Sequence, residues 1–178
     1  MKANESQVFG LVGWSGSGKT TLMQELLPDL TGRGYKVSTM KHTHHNFDID
    51  KPGKDSHVHR QAGAHEVLIT GTQRWALLHE NREEAEPDLN TLLGAMSPVD
   101  LVLIEGFKNH SHCKLEVFRP SIGKTLLAIE DDSIVAIASD EKVEGISKQI
   151  LDLNNVVSIG DFIVDFCRLN GKGANGAA

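Results

Sequence analysis

Residues Gly13–Thr20, GWSGSGKT, follow the pattern G-x-x-x-x-G-K-[ST], and what stands on either side of them constrains the fold more than the pattern itself. Gln7 to Val12 is a short run rich in β-forming residues that ends at Gly13. Thr20 to Leu30 then carries Leu22, Met23, Leu26, Leu27 and Leu30 at helical spacing. A buried strand, a glycine turn and an amphipathic helix in this order aim backbone N–H groups and the positive end of the helix at one point, which suits a phosphate. Lys19 is then the cation for β- and γ-phosphates, and the Thr20 hydroxyl is an oxygen ligand for Mg2+.

The rest of the chain extends the same pattern. Gly32 and Gly34 end the helix, and Lys36 to Lys41 reads as the next strand, completing a βαβ unit. Glu66 to Thr70, Arg74 to His79, Leu101 to Ile104, Lys114 to Phe118, Leu126 to Ile129 and Ile134 to Ala138 read as further strands, with a short helix over Asp88 to Met96. Ile159, Phe162, Ile163, Phe166 and Leu169 recur at helical spacing after a capping Asn155 and mark a final helix. Strongly apolar strands suit a parallel sheet covered on both faces. The expected fold is α/β: three layers, a mostly parallel sheet and helices on both sides. One domain is expected over residues 1–170, with a disordered tail at 171–178.

DLVLIEG, Asp100 to Gly106, supplies the acid that a phosphate-loop strand needs from its neighbour. Glu105 would sit by the γ-phosphate, to hold Mg2+ directly or through water, or to polarise the attacking water. Lys19 and Glu105 are therefore the candidate catalytic residues, and Thr20 and Glu105 the candidate metal ligands.

A net charge of −6 argues against broad binding to nucleic acid, which rewards a basic face. Two cysteines, Cys113 and Cys167, form no spaced framework, so neither a disulfide set nor a thiolate metal cage is expected. No stretch approaches the ~20 apolar residues that a membrane span requires, and a cytoplasmic location is expected. The acidic run Glu80 to Asp88 reads as a solvated loop or helix face.

Six of the nine histidines lie between His42 and His65, most of them in or near KHTHHNFDIDKPGKDS, Lys41 to Ser56. This segment follows the second strand, whose carboxyl end lies on the ligand edge of such a sheet. Its histidines could ligate a metal, but no four ligands stand at a recognised spacing. Asp48, Asp50 and Asp55 suit Mg2+ or hydrogen bonding equally, so an anion-binding or switch-like loop is favoured. Asp55 or Ser56 could cap a short helix through Ala62.

Taken in order, GWSGSGKTTL, KHTHHNFDIDKPGKDS, AGA at Ala62 to Ala64, QRWALLHE, LIEGFK and IASD resemble the molybdopterin-guanine dinucleotide biosynthesis adaptor family, MobB, over about Val8 to Leu169. The resemblance implies a dimeric GTP-binding adaptor with weak hydrolysis that works beside the molybdenum cofactor guanylyltransferase and molybdopterin-bearing proteins. It implies that Gly13, Trp14, Ser15, Gly16, Ser17, Gly18, Lys19, Thr20 and Thr21 hold the phosphates, with Mg2+ near Glu105, and that Lys41 to Ser56 line the face where phosphate or pterin arrives. Trp14 stands where many dimeric relatives place a lysine that reaches the partner's nucleotide, so a lysine acting in trans is not expected. No N-K-x-D guanine reader occurs, and Asp140, after Ser139, is the nearest candidate; GTP over ATP follows from the resemblance alone. A small-molecule kinase or ATP-dependent ligase is the alternative, disfavoured because Arg74 and Arg82 are the only arginines between Thr70 and the end of the acidic run. A metal-handling protein gated by nucleotide is a third reading. Trp75 in QRWALL is equally a dimer contact or a core residue.

Overall fold

The computed structural model describes residues 6–43 and 47–169. His44, His45 and the expected tail at 171–178 lie outside these residues. The chain divides into two compact units, Met1–His42 with Gly94–Ala178, and Thr43–Leu93.

In chain order the elements are β1 (Gln7–Val12), α1 (Lys19–Gly32), β2 (Val37–Lys41), α2 (Asp55–Gln61), β3 (Glu66–Thr70), β4 (Trp75–His79) and α3 (Leu89–Ala95). They continue with β5 (Leu101–Glu105), β6 (Lys114–Phe118), β7 (Ile134–Ser139), β8 (Gln149–Asp152) and α4 (Val156–Phe166). The first unit is built on a six-stranded sheet in the order β2-β5-β1-β6-β7-β8, every adjacent pair parallel. It is the expected α/β fold.

Side-chain alternation assigns the faces. Phe9, Leu11, Leu101, Leu103, Leu115 and Val117 share a buried cluster with Leu22, Leu26 and Leu30 of α1 and Ile159 and Ile163 of α4. Val12, Ile134 and Ile137 turn the other way and pack with Ala128. The α4 helix starts as expected, with the Asn155 side chain accepting a hydrogen bond from the Ser158 N–H.

Two sequence expectations need correction, and one strand was not foreseen. Leu126 to Ile129 is not a strand, because Leu127–Ile129 form a 3-10 turn. The buried carboxylate of Glu116 accepts the N–H groups of Leu127 at 2.9 Å and Ala128 at 2.8 Å, which diverts them from any ladder. Burial raises the Glu116 pKa, against the pull of those two N–H groups. Neither Asp55 nor Ser56 caps α2: the residue before the helix is Lys54, and the Ser56 hydroxyl donates instead to Asp50 at 2.9 Å. Finally, β8 has no counterpart in the sequence reading; its QILD alternation is too short to separate from the neighbouring loop.

In the second unit β3 and β4 pair antiparallel as a separate two-stranded sheet. Arg60 ties the unit together, reaching Asp48 at 3.0 Å, Asp50 at 3.5 Å and Glu80 at 2.9 Å. Asp48 and Asp50 thus hold a guanidinium. Trp75 is 64% exposed, which removes its reading as a core residue.

Candidate functional site

The parallel register brings the chemistry to one edge of the large sheet. Leu11 of β1 and Lys41 of β2 both stand opposite Glu105 of β5, so the carboxyl ends of three adjacent strands finish level. The chain leaves β1 at Gly13, turns through Ser15, Gly16, Ser17 and Gly18, and enters α1 at Lys19. Gly13 has φ +146, and a Cβ there would collide with the carbonyl oxygen of Val117, so no side chain fits where the loop crosses β6. The Ser17 N–H donates to the Trp14 carbonyl at 3.2 Å and closes the turn. Gly18 is left-handed at φ 97, which frees the first N–H groups of α1 from any local cap.

Lys19 folds back over this turn, its ammonium donating to the Trp14 carbonyl at 2.8 Å. Burial lowers the Lys19 pKa; Glu105 opposes the shift, while Lys108 and Lys41 add to it. The Thr20 hydroxyl donates to Glu105 Oε1 at 3.0 Å, and the Lys41 ammonium lies 3.6 Å from the same oxygen. A hydroxyl and a carboxylate side by side form a hard-oxygen pair of the kind Mg2+ accepts when phosphate and water complete its shell. These residues therefore fit a Mg2+-bound triphosphate. Among the described residues no group of three or more His, Cys, Asp or Glu side chains gathers to hold a metal.

Of the sequence candidates, the structure brings together Trp14, Lys19, Thr20 and Glu105. Ser15 and Thr21 are exposed at the start and end of the same turn and first helical residues. Asp140 follows β7 beside Arg119, which follows β6, and the two are joined by a short ion pair through Asp140 Oδ2. The other oxygen, Oδ1, is buried without a partner. Arg119 is a residue the sequence reading missed: its Nε donates to the Ser17 carbonyl at 3.1 Å, so it braces the loop from outside. A basic residue directly after a central strand was the available signal. His42 lies beside Gly106, and its ring stands 4.6 Å from the Phe107 ring.

The comparisons with known proteins agree on one family. A family model described as "Molybdopterin guanine dinucleotide synthesis protein B" matches residues 8–140. The chain belongs to the MobB family. It is 41% identical over 162 residues to a molybdopterin-guanine dinucleotide biosynthesis adapter protein of Escherichia coli K12, covering 89% of this chain and 92% of the relative. A protein of the same description from Haemophilus influenzae is 38% identical over 160 residues, covering 90% and 89%. Among solved structures, one described as molybdopterin-guanine biosynthesis protein B aligns with a TM-score of 0.71 and 28% identity, covering 89% of this chain and 99% of its own. Bacillus subtilis MobB aligns at 0.69 and 24% identity over 93% and 99%, a likeness of fold. Among the described residues of this MobB chain no helix is long and apolar enough to cross a membrane.

Proposed function

We propose that this chain is an adapter in molybdopterin-guanine dinucleotide biosynthesis that binds GTP with Mg2+ at the Gly13–Thr21 loop, hydrolyses it slowly, and acts as a homodimer beside the guanylyltransferase. Family membership supports the adapter role. The observation that carries the nucleotide reading is the Lys19–Thr20–Glu105 arrangement at the strand edge, with Thr20 Oγ1 3.0 Å from Glu105 Oε1.

In this reading Gly13 to Thr21 hold the phosphate tail through backbone N–H groups, and Lys19 leaves the Trp14 carbonyl to reach the β- and γ-phosphates. Thr20 and Glu105 would hold Mg2+, which when bound neutralises charge developing on the phosphates. Lys41, 3.6 Å from Glu105 Oε1, helps to orient that carboxylate. Asp140 serves the nucleotide through Arg119, since one carboxylate oxygen grips that guanidinium and the other is sealed.

The test is calorimetric titration with GTP and with ATP, each with Mg2+, in the presence and absence of the guanylyltransferase. Tighter binding of GTP that strengthens with the enzyme present is expected, because coupling between two ligands is reciprocal. A preference for ATP with no coupling would move the function to a small-molecule kinase or ligase.

A further inference from the structure

The phosphate loop gathers more positive charge around its second residue than one nucleotide tail requires. Trp14 is fixed at both ends: its indole N–H donates to the Thr125 carbonyl at 2.8 Å, and its own carbonyl takes Lys19. Two further ammonium groups lie over the ring, Lys108 at 4.8 Å and Lys124 at 5.6 Å from its centroid. Among the described residues neither is paired with a carboxylate.

Both lysines are anchored through the main chain. The Lys108 carbonyl accepts from the ammonium of Lys114, a fully buried lysine also held by Asp131 at 2.8 Å. Lys124 precedes Thr125, whose carbonyl holds the indole. At 4.8 and 5.6 Å from one centroid both cations are drawn to the ring's π system, and Lys108 adds to the positive charge that disfavours the Lys19 ammonium. An anion bound there relieves that like-charge repulsion. A cation already paired with an acid has little attraction left for a ligand, whereas these two keep theirs, and cations focused at a cleft raise the local concentration of anions. The loop's N–H groups, Lys19 and Thr20 already account for a nucleotide tail.

We propose that Lys108 and Lys124, held over Trp14, form a subsite for the phosphate of a second ligand, a phosphomonoester that binds beside the nucleotide. The inference rests on the phosphate-loop reading above, because it takes the loop to be filled by the nucleotide. Two ammonium groups match a phosphate dianion in charge, and lysine serves phosphate as a compact point charge.

The chain has two tryptophans, so Trp75→Phe leaves Trp14 as the sole indole reporter. That protein, saturated with Mg2+ and a non-hydrolysable GTP analogue, is titrated with inorganic phosphate and with glycerol phosphate while its fluorescence is followed. A saturable change is expected. Lys108→Ala and Lys124→Ala should each weaken it about tenfold, the worth of one charge-assisted contact, while nucleotide affinity by calorimetry stays within about twofold. Absence of a saturable change in nucleotide-loaded protein overturns the proposal. So does a response seen only without nucleotide, with both variants losing nucleotide affinity, since the lysines would then serve the nucleotide's own tail. If the analogue fails to bind, the nucleotide reading fails; a phosphate response that then survives Lys19→Ala but not Lys108→Ala keeps the subsite, whereas one lost with Lys19→Ala belongs to the loop and overturns it.

Discussion

The sheet edge at the phosphate loop and the β3–β4 hairpin handle exposed groups in opposite ways. At the edge the central polar groups find partners inside the chain: Lys19 on Trp14, Thr20 on Glu105, Arg119 on Ser17 and Asp140. The central strand that carries it, β5, is buried on both faces, with Leu101 to Ile104 at 0% exposure. In the hairpin, Val67 and Leu78 are buried, but Leu68, Ile69, Trp75 and Leu77 are exposed, from 41% at Ile69 to 64% at Trp75. A two-stranded sheet is marginal in water by itself. The edge thus meets most of its polar needs within one copy of the chain, in keeping with the small anionic ligand proposed for it, whereas the hairpin leaves apolar surface uncovered.

The largest effect expected at the edge is that of Lys19→Ala. Removing the main side-chain cation from two phosphates, at about 1.5–3 kcal/mol, should weaken triphosphate binding by about ten- to a hundredfold with the melting temperature little changed. Retained affinity in calorimetry would show that the site lies elsewhere. For the hairpin, Trp75→Ser with Leu77→Ser should loosen self-association by about tenfold or more in sedimentation, as expected when exposed aromatic and aliphatic anchors are lost. Because both side chains are exposed in one copy, the fold of that copy should hold. An intact dimer would mean that the apolar surface of the hairpin serves some other partner.

The same contrast explains what could be read in advance. The βαβ unit, the loop, Glu105 and the final helix were legible because each is written in local periodicity and a short motif. Arg119 was not, because its partners Ser17 and Asp140 stand far from it in sequence and reach it only through the pairing of β6 with β1 and with β7. The turn at Leu127–Ile129 was misread as a strand because its apolar residues match a strand in composition, and the buried Glu116 that bends it lies on another element. Lys114, wholly buried, broke the rule that lysines sit outside, and its partners Asp131 and the Lys108 carbonyl come from the loops on either side of β6.

Glu105→Gln sharpens the edge further. The amide keeps the size and one acceptor oxygen but removes the charge that Thr20 and Lys41 now address. Nucleotide affinity should move less than about threefold, whereas Mg2+-dependent hydrolysis should fall by about tenfold or more, a modest share of what a positioned acid or base supplies. Equal hydrolysis by both proteins would deny Glu105 its part in the reaction.

The smallest effect expected is one of pH, and it comes from the far end of the same strands. A Cβ on Gly10 would lie 2.5 Å from His112 Nε2, so the missing side chain of Gly10 is what makes room for this imidazole on β1. Both ring nitrogens are buried without a hydrogen-bond partner. Burial, with Lys114 and His110 adding to it and Asp131 opposing, pushes the His112 pKa down from 6.5 to about 4. Above pH 6.5 the imidazole is neutral folded and unfolded alike, and it contributes no pH dependence. Between pH 6.5 and about 4 the unfolded chain takes up a proton that the folded chain refuses, so stability falls as the pH falls through this window. His112→Asn removes the titration. In urea melts at pH 7.5 and pH 5, the variant should lose less stability on acidification than the parent, by about 1 kcal/mol once solvent screening of a half-buried ring is allowed for. Any packing defect left by the smaller side chain weakens the variant equally at both pH values and cancels in the difference. The Asp131 carboxyl cancels too: hydrogen bonds from Lys114 and Ser133 hold its pKa below the usual range despite burial, so it titrates beneath the window in both proteins. Parallel pH dependence in the two melts would mean that water reaches the His112 ring and protonates it in the folded state.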